Sequence, residues 1–282
     1  MTGPPLRLGL IGNGIQRSSA PRLHEIAGAM IGRQTDYPLF DLEGQEPDTF
    51  EKTLRAAGWE GRVGVNVTHP YKERAMAFVP VSDPRVRRIG SINTVLFDNG
   101  EPAAGFNTDH SGFMAAYQRR FPATPPGRVA VIGTGGVGRP IVAGLIALGA
   151  TEVRVYDTDS KRAHRVAAEL RDDVVAVRAC DSAEEATHQV DGIVNATPVG
   201  MYHHPGLPLP ESAIGRPHWV FDAVYTPIDT EFLTRAAATG ATVISGYELF
   251  IYQGLHAFHH FTGQNIDETA LRTALGESRA QE

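Results

Sequence analysis

A glycine-rich turn is the first group of residues in this sequence whose spacing could do chemistry. Residues 133–138 match the pattern G-x-G-x-x-G, follow the apolar run 129–132 and lead into a helix-like segment. The pattern consists of Gly133, Thr134, Gly135, Gly136, Val137 and Gly138. Such glycines allow a tight turn, close approach of backbone N–H groups to a pyrophosphate, and close packing of helix on strand. The context predicts a dinucleotide-binding loop, and the alternative is a glycine-rich turn in an ordinary α/β domain.

An acidic residue, Asp157, lies 19 residues beyond the last glycine of this turn and directly after the strand-like run 152–156. A carboxylate at that place accepts hydrogen bonds from the adenosine ribose hydroxyls of a dinucleotide. A 2′-phosphate would face both Asp157 and Asp159 and would be repelled, so the sequence predicts NAD rather than NADP. Two alternatives stay open: Asp157 merely caps the following helix, or Lys161 and Arg162 hold a phosphate.

Polar residues are also concentrated in turns of the first third of the chain, at 12–21, 66–72 and 105–109, with a further group at 90–94. Two of these turns contain Lys72 and Asp109. Oxidation of an alcohol requires a base that accepts the hydroxyl proton while hydride leaves, and we expect these two groups to handle that proton as a coupled pair. The alternative is a solvated or domain-bridging salt bridge.

The elements that position these residues alternate between short apolar runs and helix-like segments, which predicts βαβ units and a mostly parallel sheet. In the first part we predict strands at 8–11, 37–40 and 63–67 and helices at 22–31 and 49–57. The proline-marked stretch 121–127 indicates a linker, and we expect a domain boundary close to it. Six strands follow, which matches a Rossmann dinucleotide-binding domain. They are predicted at 129–132, 152–156, 174–177, 192–194, 219–221 and 242–244, with helices at 141–148 and 160–170 and a final long helix at 247–261.

Composition excludes several classes of protein. The chain contains 42% hydrophobic and 21% charged residues, which is typical of globular proteins. Its length of 282 residues favours two domains. A net charge of −6 and the absence of a basic patch argue against nucleic acid as a partner. The single cysteine, Cys180, permits neither an intrachain disulfide nor a multi-cysteine zinc site. Without a leader or membrane-span pattern, we expect no membrane partner and a cytoplasmic location.

The order of the motifs along nearly the whole chain resembles the shikimate dehydrogenase family. The resemblance rests on segments 12–21, 66–72, 90–94, 105–109, 195–198 and 224–227. Within that family, the run from His69 to Lys72 and the acidic Asp157 are closest to the NAD-dependent quinate/shikimate dehydrogenase branch. The resemblance implies an α/β fold with a discontinuous substrate-binding catalytic domain, at 1–110 and 247–282, a Rossmann NAD-binding domain at 111–246, and a cleft between them.

The resemblance also implies the roles of individual residues. Lys72 and Asp109 correspond to the catalytic pair, and Asn195 and Thr197 to residues at the cofactor. Substrate contacts are implied, besides Asp109, for Ser18, Asn66, Thr68, Asn93, Tyr225 and Gln253. The implied reaction is the reversible NAD-dependent oxidation of a ring hydroxyl of shikimate or quinate, a step of the kind found in aromatic amino acid biosynthesis. The partner would be a small polyhydroxy carboxylic acid, which amides and hydroxyls suit, and the chain would be a monomer or a homodimer.

Two departures from the family pattern leave alternatives open. Ala20 replaces a second hydroxyl residue that holds the substrate carboxylate, and His110 replaces a glycine. Arg17 is a candidate for gripping the carboxylate instead. Ala20 leaves open a related ring substrate such as aminoshikimate, or a non-catalytic NAD-binding regulatory paralogue. His256 and His260 stand four positions apart on a predicted helix, but the sequence offers no obvious further ligand, so we expect no metal.

Overall fold

The computed structural model of the chain describes residues 4–46 and 48–277. The chain folds into two compact units. Unit 1 runs up to Thr108 and resumes at Gln253, and unit 2 comprises Asp109–Tyr252. Unit 1 is therefore discontinuous in sequence, and both crossings between the units fall within helices. Among the described residues, no helix combines the length and the apolarity needed to cross a bilayer.

The main sheet of unit 1 has five strands in the order β4-β2-β5-β6-β7. These strands are β2 (Leu10–Gly12), β4 (Leu39–Asp41), β5 (Gly64–Val67), β6 (Thr94–Asp98) and β7 (Glu101–Phe106), and a separate parallel pair is formed by β1 (Leu6–Arg7) and β3 (Thr35–Asp36). β2 pairs in parallel with β4 and β5, whereas β6 pairs antiparallel with β5 and β7. This sheet is mixed, so the prediction of a mostly parallel sheet was wrong for unit 1.

The hairpin between β6 and β7 explains the difference. Asn99 and Gly100 both have positive φ, at 49° and 83°. Two such residues in succession form the tight turn that joins antiparallel strands. The Asn-Gly pair is visible in the sequence, and it is the feature from which the hairpin could have been predicted.

Helices cover both faces of the unit 1 sheet. They are α1 (Ala20–Met30), α2 (Thr49–Trp59), α3 (Pro84–Ile89), the later part of α9 (Gly246–Thr262) and α10 (Glu268–Glu277), with a short 3-10 helix at Arg74–Ala77. On one face Phe50 and Leu54 of α2 pack with Val65. On the other face Ala27 of α1 and Phe258 of α9 share a second buried cluster with the N-terminal strands.

Unit 2 contains a six-stranded sheet in the order β10-β9-β8-β11-β12-β13, with every pairing parallel. The strands are β8 (Arg128–Ile132), β9 (Glu152–Tyr156), β10 (Ala176–Ala179), β11 (Gly192–Asn195), β12 (Trp219–Asp222) and β13 (Thr242–Ile244), and the helices are α4 (Thr108–Arg120), α5 (Gly138–Ala147), α6 (Ser160–Glu169), α7 (Ala183–Thr187), α8 (Glu231–Ala238) and the first part of α9. This order is that of the Rossmann fold, and it confirms the prediction of six strands in a dinucleotide-binding domain.

Two local predictions in unit 2 need correction. The division between the units lies at Thr108, and the proline-marked stretch 121–127 lies inside unit 2, because Phe113 and Tyr117 of α4 pack into the buried core of that unit. The strand predicted at 174–177 is shifted to Ala176–Ala179. Asp172 accepts hydrogen bonds from the backbone of Val174, at 2.9 Å, and of the residue after it, which forms a turn and leaves Val174 90% exposed.

Candidate active site

The glycine turn between β8 and α5 is tightly packed at its ends and open in its middle. Gly133 has a φ of 92°, and a Cβ built on it would lie 2.7 Å from the methyl carbon of Thr197. A Cβ on Gly138 would collide with the carbonyl oxygen of Gly133. At Gly135 the nearest group to such a Cβ is the guanidinium of Arg162, 3.6 Å away. The turn therefore fits a dinucleotide, because no side chain covers the backbone at Gly135, where a pyrophosphate must approach.

Asp157, which follows β9, is bonded to the start of this turn. Its Oδ2 accepts hydrogen bonds from the backbone N and the Oγ1 of Thr134, both at 2.8 Å, and its Oδ1 accepts from the backbone N of Asp159 at 3.0 Å. Partial burial opposes ionisation, but these bonds and the charge of Arg162 hold the pKa of Asp157 below its ordinary value. Asp159 caps α6 by accepting from the N–H groups of Lys161 and Arg162. The capping alternative for Asp157 was therefore wrong.

The two further cofactor candidates form a turn after β11 that lies against the glycine turn. Asn195 donates to the carbonyl of Val199 and to Oδ1 of Asp222, each at 2.9 Å. Its Oδ1 accepts from the backbone N of Thr197 at 3.0 Å and from the Oγ1 of Thr197 at 2.7 Å. Thr197 also accepts from the backbone N of Val199 at 3.1 Å. The side chains of Asn195 and Thr197 thus hold the turn in shape, and the methyl group of Thr197 covers Gly133.

Four of the residues implied in catalysis or substrate binding lie at one edge of the unit 1 sheet. Ser18 follows β2, Thr68 and Lys72 follow β5, and Asn93 directly precedes β6. β2 and β5 are parallel and β6 runs the opposite way, so the ends of the first two and the start of the third meet at this edge. We call these four residues the unit 1 edge. Lys72 is the only cation among them, and it is 8% exposed, with its carbonyl accepting from the backbone N of Ile92 at 2.9 Å.

Asn66 has a supporting position behind this edge. Its Oδ1 accepts from Tyr37 Oη at 2.7 Å, and its side chain also interacts with the imidazole of His24. Its Nδ2 donates to the carbonyl of Asn93 and to the Oγ1 of Thr94, both at 3.1 Å. An amide has two donors and two lone pairs, and both donors and one lone pair are engaged within unit 1. Asn66 therefore orients the neighbours of the edge.

Asn93 is organised differently, with its two polar atoms facing different groups. Its Oδ1 accepts from Thr94 Oγ1 at 3.0 Å, from the backbone N of Thr108 at 2.8 Å and from Thr108 Oγ1 at 3.1 Å. Its Nδ2 has no hydrogen-bond partner among the described residues and is not among the buried unpaired atoms. The amide group is thus held by its oxygen and presents its two N–H groups, which suits a ligand hydroxyl.

The remaining catalytic and substrate candidates lie in α4, in the segment after β12 and in α9. Asp109 is the first residue of unit 2, in the first turn of α4, and is buried. Thr108, directly before it, is fixed by Asn93 as described. Tyr225 stacks on Phe250, with ring centroids 5.0 Å apart. Gln253 is half-buried on α9 and begins the second segment of unit 1.

The two departures from the family pattern occupy defined places. Ala20 is the first residue of α1, and its backbone N donates to Ser18 Oγ at 3.2 Å. Arg17 is exposed, and His110, in the first turn of α4, is half-buried. The hydroxyl that the family carries at the position of Ala20 is therefore absent.

The sequence reasoning missed three groups: Thr134, which binds Asp157; the pair His24 and Tyr37, which binds Asn66; and Asp222, which binds Asn195. Burial raises the pKa of Asp222 to about 6 although three hydrogen bonds oppose the shift. Burial lowers the pKa of His24 to about 3, against the hydrogen bond to Asn66. Asp222 is the last residue of β12 and lies three positions before the substrate candidate Tyr225. This position was the one sequence feature that could have identified Asp222 as a functional residue.

Histidines do not form a metal site in the part of the chain that the structure describes, where no group of three or more His, Cys, Asp or Glu side chains is placed to hold an ion. His260 instead stacks on Phe106, with ring centroids 3.8 Å apart. Burial and the neighbouring His259 lower the pKa of both His256 and His260. These imidazoles therefore belong to the packing of α9.

Comparison with known proteins identifies both units. Residues 10–95 match the family model described as the shikimate dehydrogenase substrate binding domain, and residues 128–205 match a model described as NADP oxidoreductase, coenzyme F420-dependent. The chain is 36% identical to the shikimate dehydrogenase (NADP(+)) of Streptomyces avermitilis, over 98% of this chain and 97% of that protein. It is also 36% identical to the quinate/shikimate dehydrogenase (NAD(+)) of Corynebacterium glutamicum, over 94% and 96% of the two chains.

Solved structures give the same result. The quinate dehydrogenase of Corynebacterium glutamicum in complex with NAD has a TM-score of 0.86 and 34% identity, with 98% of this chain and 100% of that chain covered. The shikimate 5-dehydrogenase of Thermus thermophilus in complex with NADP(H) and shikimate has a TM-score of 0.84 and 31% identity, with 95% and 98% covered. The predicted resemblance and fold class are thereby confirmed. The cofactor is a nicotinamide dinucleotide, and the relatives include both NAD and NADP forms.

Proposed function

The chain belongs to the shikimate dehydrogenase family, and we propose that it is an NAD-dependent dehydrogenase that reversibly oxidises one ring hydroxyl of shikimate or quinate. The observation that carries this proposal is the unit 1 edge, where Ser18, Thr68, Asn93 and the buried Lys72 stand beside the ends of neighbouring strands at the same side of the sheet. Hydroxyl and amide groups pair with ring hydroxyls without burying further charge, and a single amine remains for proton transfer. The glycine turn of unit 2 supplies the complementary requirement, a place for a dinucleotide.

We propose that Lys72 and Asp109 exchange the hydroxyl proton during the reaction. When bound, the nicotinamide ring accepts the hydride that leaves the substrate carbon. The amine of Lys72 and the carboxyl of Asp109 share this proton as a coupled pair. Both side chains are buried, which suits groups that exchange a proton with a bound substrate.

The preference for NAD rests on Asp157. Its carboxylate is tied to Thr134 at the start of the glycine turn and stays ionised, so its charge is fixed beside the cofactor loop. A 2′-phosphate there would meet this charge and that of Asp159. Arg162, which approaches Gly135, is the counter-argument, because its guanidinium could bind a phosphate. We propose that the two carboxylates outweigh it.

Loss of Lys72 tests the catalytic assignment. Absorbance of NADH is followed after mixing NAD with quinate, shikimate and their amino analogues. Lys72→Ala should lower kcat at least about 10³-fold, within the range for loss of a proton-transfer group. NADH binding, followed by fluorescence, should be retained. Lys52→Ala is the matched control, because Lys52 is exposed and pairs with Asp48 on the outside of α2. Near-normal turnover by Lys72→Ala would remove the assignment.

A second measurement tests the cofactor. The ratio of kcat/KM for NAD to kcat/KM for NADP should exceed 1 in the wild type and should fall in Asp157→Asn, which keeps an acceptor for Thr134 but loses the charge. A wild-type preference for NADP contradicts the NAD proposal, while leaving the dehydrogenase assignment in place.

The amino analogues are included in the substrate panel because of Ala20. The start of α1 offers only the hydroxyls of Ser18 and Ser19, and Ser18 already accepts from the backbone of Ala20. We propose that Arg17 contributes to holding the substrate carboxylate, since it is exposed beside Ser18. An unchanged substrate KM in Arg17→Ala eliminates that role. Absence of turnover with every compound, together with intact NADH binding, would favour the regulatory alternative.

A further inference from the structure

Asp222 joins three segments of unit 2 through a side chain that is fully buried. It ends β12 and lies opposite Asn195 in the neighbouring strand β11. Its Oδ1 accepts from Asn195 Nδ2 and from the backbone N of Val224, both at 2.9 Å, and its Oδ2 accepts from Thr230 Oγ1 at 2.6 Å. These donors belong to the end of β11, the segment after β12 and the start of α8. One carboxyl group therefore fixes all three.

One path leads from Asp222 to the glycine turn. Asn195, bonded to Asp222, holds Thr197 through both its backbone N and its hydroxyl. The Thr197 methyl group and the Ala196 carbonyl pack on Gly133, at 2.7 Å and 3.0 Å from where a Cβ would stand. Little space separates these groups, so a displaced Asn195 would carry Thr197 out of contact with the first glycine of the turn.

A second path leads to Tyr225. Val224, directly before it, is tied to Asp222 by its backbone N, and Tyr225 stacks on Phe250. Thr230 completes the arrangement, because its hydroxyl accepts from the backbone N of Leu233 while it donates to Asp222. The start of α8 therefore fixes the Oδ2 atom of Asp222 through Thr230.

We propose that Asp222 is a positioning residue that holds the turn against Gly133 and the segment of Tyr225 in one arrangement, and thereby sets the affinity for the dinucleotide. This inference rests on the proposed function only in that it takes the glycine turn as the cofactor site. Asp222 itself is buried behind these segments and acts through Asn195 and Val224.

The geometry requires the shape of the side chain and not its charge. The three donors are an amide, a backbone N–H and a hydroxyl, none of them cationic, and burial shifts the pKa of Asp222 towards the neutral form. In Asp222→Asn the amide oxygen can accept from Asn195 and Val224, and the amide N–H can donate to Thr230 Oγ1. In Asp222→Ala all three donors lose their acceptor.

The test compares these variants with Asp191→Ala. Asp191 stands before β11, at the opposite end of that strand, and accepts from the backbone N of Arg128 at 2.7 Å. Fluorescence titration with NADH and NADPH gives Kd, assays give KM and kcat, and thermal unfolding gives Tm. We expect Asp222→Ala to raise the NADH Kd and the KM for NAD at least about 10-fold, equivalent to one lost buried hydrogen bond. Asp222→Asn should remain within about 3-fold of wild type, and Asp191→Ala within about 2-fold.

Equal dinucleotide affinity in Asp222→Ala and Asp191→Ala overturns the inference. If Asp222→Ala does not unfold cooperatively, Thr230→Val replaces it, since it removes only one donor to Asp222. We then expect a Kd raised about 3-fold in Thr230→Val and restored in Thr230→Ser, and an unchanged Kd in Thr230→Val overturns the inference. Failure of the wild type to oxidise any compound contradicts the proposed function, while the NADH titrations still decide the role of Asp222. Binding of neither dinucleotide contradicts both.

Discussion

The two units bury polar groups behind their functional turns in different ways. In unit 1 the central group is the Asn66 amide, which is bonded by Tyr37 and donates to Asn93 and Thr94. In unit 2 the corresponding groups are the carboxyls of Asp157 and Asp222, which only accept from the turns around them. The first arrangement contains both donors and acceptors, and the second draws several donors to one acceptor.

This difference follows from what each unit has to hold. An amide fixes the orientation of its neighbours without introducing charge, which suits an edge that presents neutral groups around one lysine. A carboxyl group collects backbone N–H and hydroxyl donors from separate loops, which suits the assembly of a turn for a dinucleotide. Burial then acts oppositely on the ionisable groups: it lowers the pKa of His24 to about 3 and raises the pKa of Asp222 to about 6. The two units should therefore respond to pH with opposite signs.

The largest expected effect concerns His24. Unfolded chains bind a proton at this histidine below about pH 6.5, whereas the folded chain does not until about pH 3. Its contribution to the free energy of unfolding is therefore present above pH 6.5 and is lost as the pH falls, by about 1.4 kcal/mol per pH unit and about 5 kcal/mol by pH 3. Urea unfolding of wild type and His24→Phe between pH 4 and pH 8 measures the difference in slope.

The control for this prediction is His203→Phe, because His203 is exposed. The phenylalanine in His24→Phe retains a ring against Tyr37, whose centroid lies 4.6 Å from that of the imidazole, and cannot be protonated. Parallel pH profiles for wild type and His24→Phe would show that His24 does not carry the acid sensitivity of unit 1.

Asp222 should give a smaller effect of opposite sign. Its pKa is about 6 in the folded chain and about 3.8 in the unfolded chain, so its contribution to stability is present below pH 3.8 and is lost as the pH rises through 6. The loss amounts to about 3 kcal/mol above pH 6. Asp222→Asn should abolish this decline, so the difference in unfolding free energy between variant and wild type should increase from pH 4 to pH 7. A constant difference across that range would contradict the prediction that the stabilities of the two units depend on pH with opposite signs.

The sequence predicted the features that depend on local spacing. The glycine turn, the strand before it and Asp157 all lie within about one βαβ unit, where each residue type follows from its own neighbours. The roles of Asn66 and Asp222 depend instead on residues brought together by strand pairing: Asp222 meets Asn195 from 27 positions away, and Asn66 meets Tyr37 from 29. Neither pairing is encoded in a local pattern, so the resemblance identified the turns but not the groups that hold them.

Asn66 and Asn93 offer a test within unit 1. Asn66→Ala leaves Tyr37 Oη and Thr94 Oγ1 without their amide partner, and we expect a loss of about 2 kcal/mol in the free energy of unfolding. Asn93→Ala leaves Thr94 Oγ1 and the backbone N and Oγ1 of Thr108 without their acceptor, so it should also lower stability. Unlike Asn66→Ala, it also removes the N–H groups available to a ligand, so it should raise substrate KM about 10-fold. Steady-state kinetics and urea unfolding on both variants separate the roles. If Asn66→Ala raised KM while leaving stability unchanged, Asn66 would be a ligand contact and not a support.

The smallest effect concerns Thr134 in unit 2. Its hydroxyl donates to Asp157 at 2.8 Å in addition to the bond from its backbone N, so Thr134→Val removes one of two links and keeps the other. We expect a loss of about 1 kcal/mol in the free energy of unfolding, with Thr134→Ser retaining the wild-type value. Because the hydrogen bonds lower the pKa of Asp157, the difference between wild type and Thr134→Val should shrink as the pH falls and the carboxylate is protonated. A difference that stays the same as the pH falls from 7 to well below 3.8 would mean that the hydroxyl stabilises the turn without acting through the charge of Asp157.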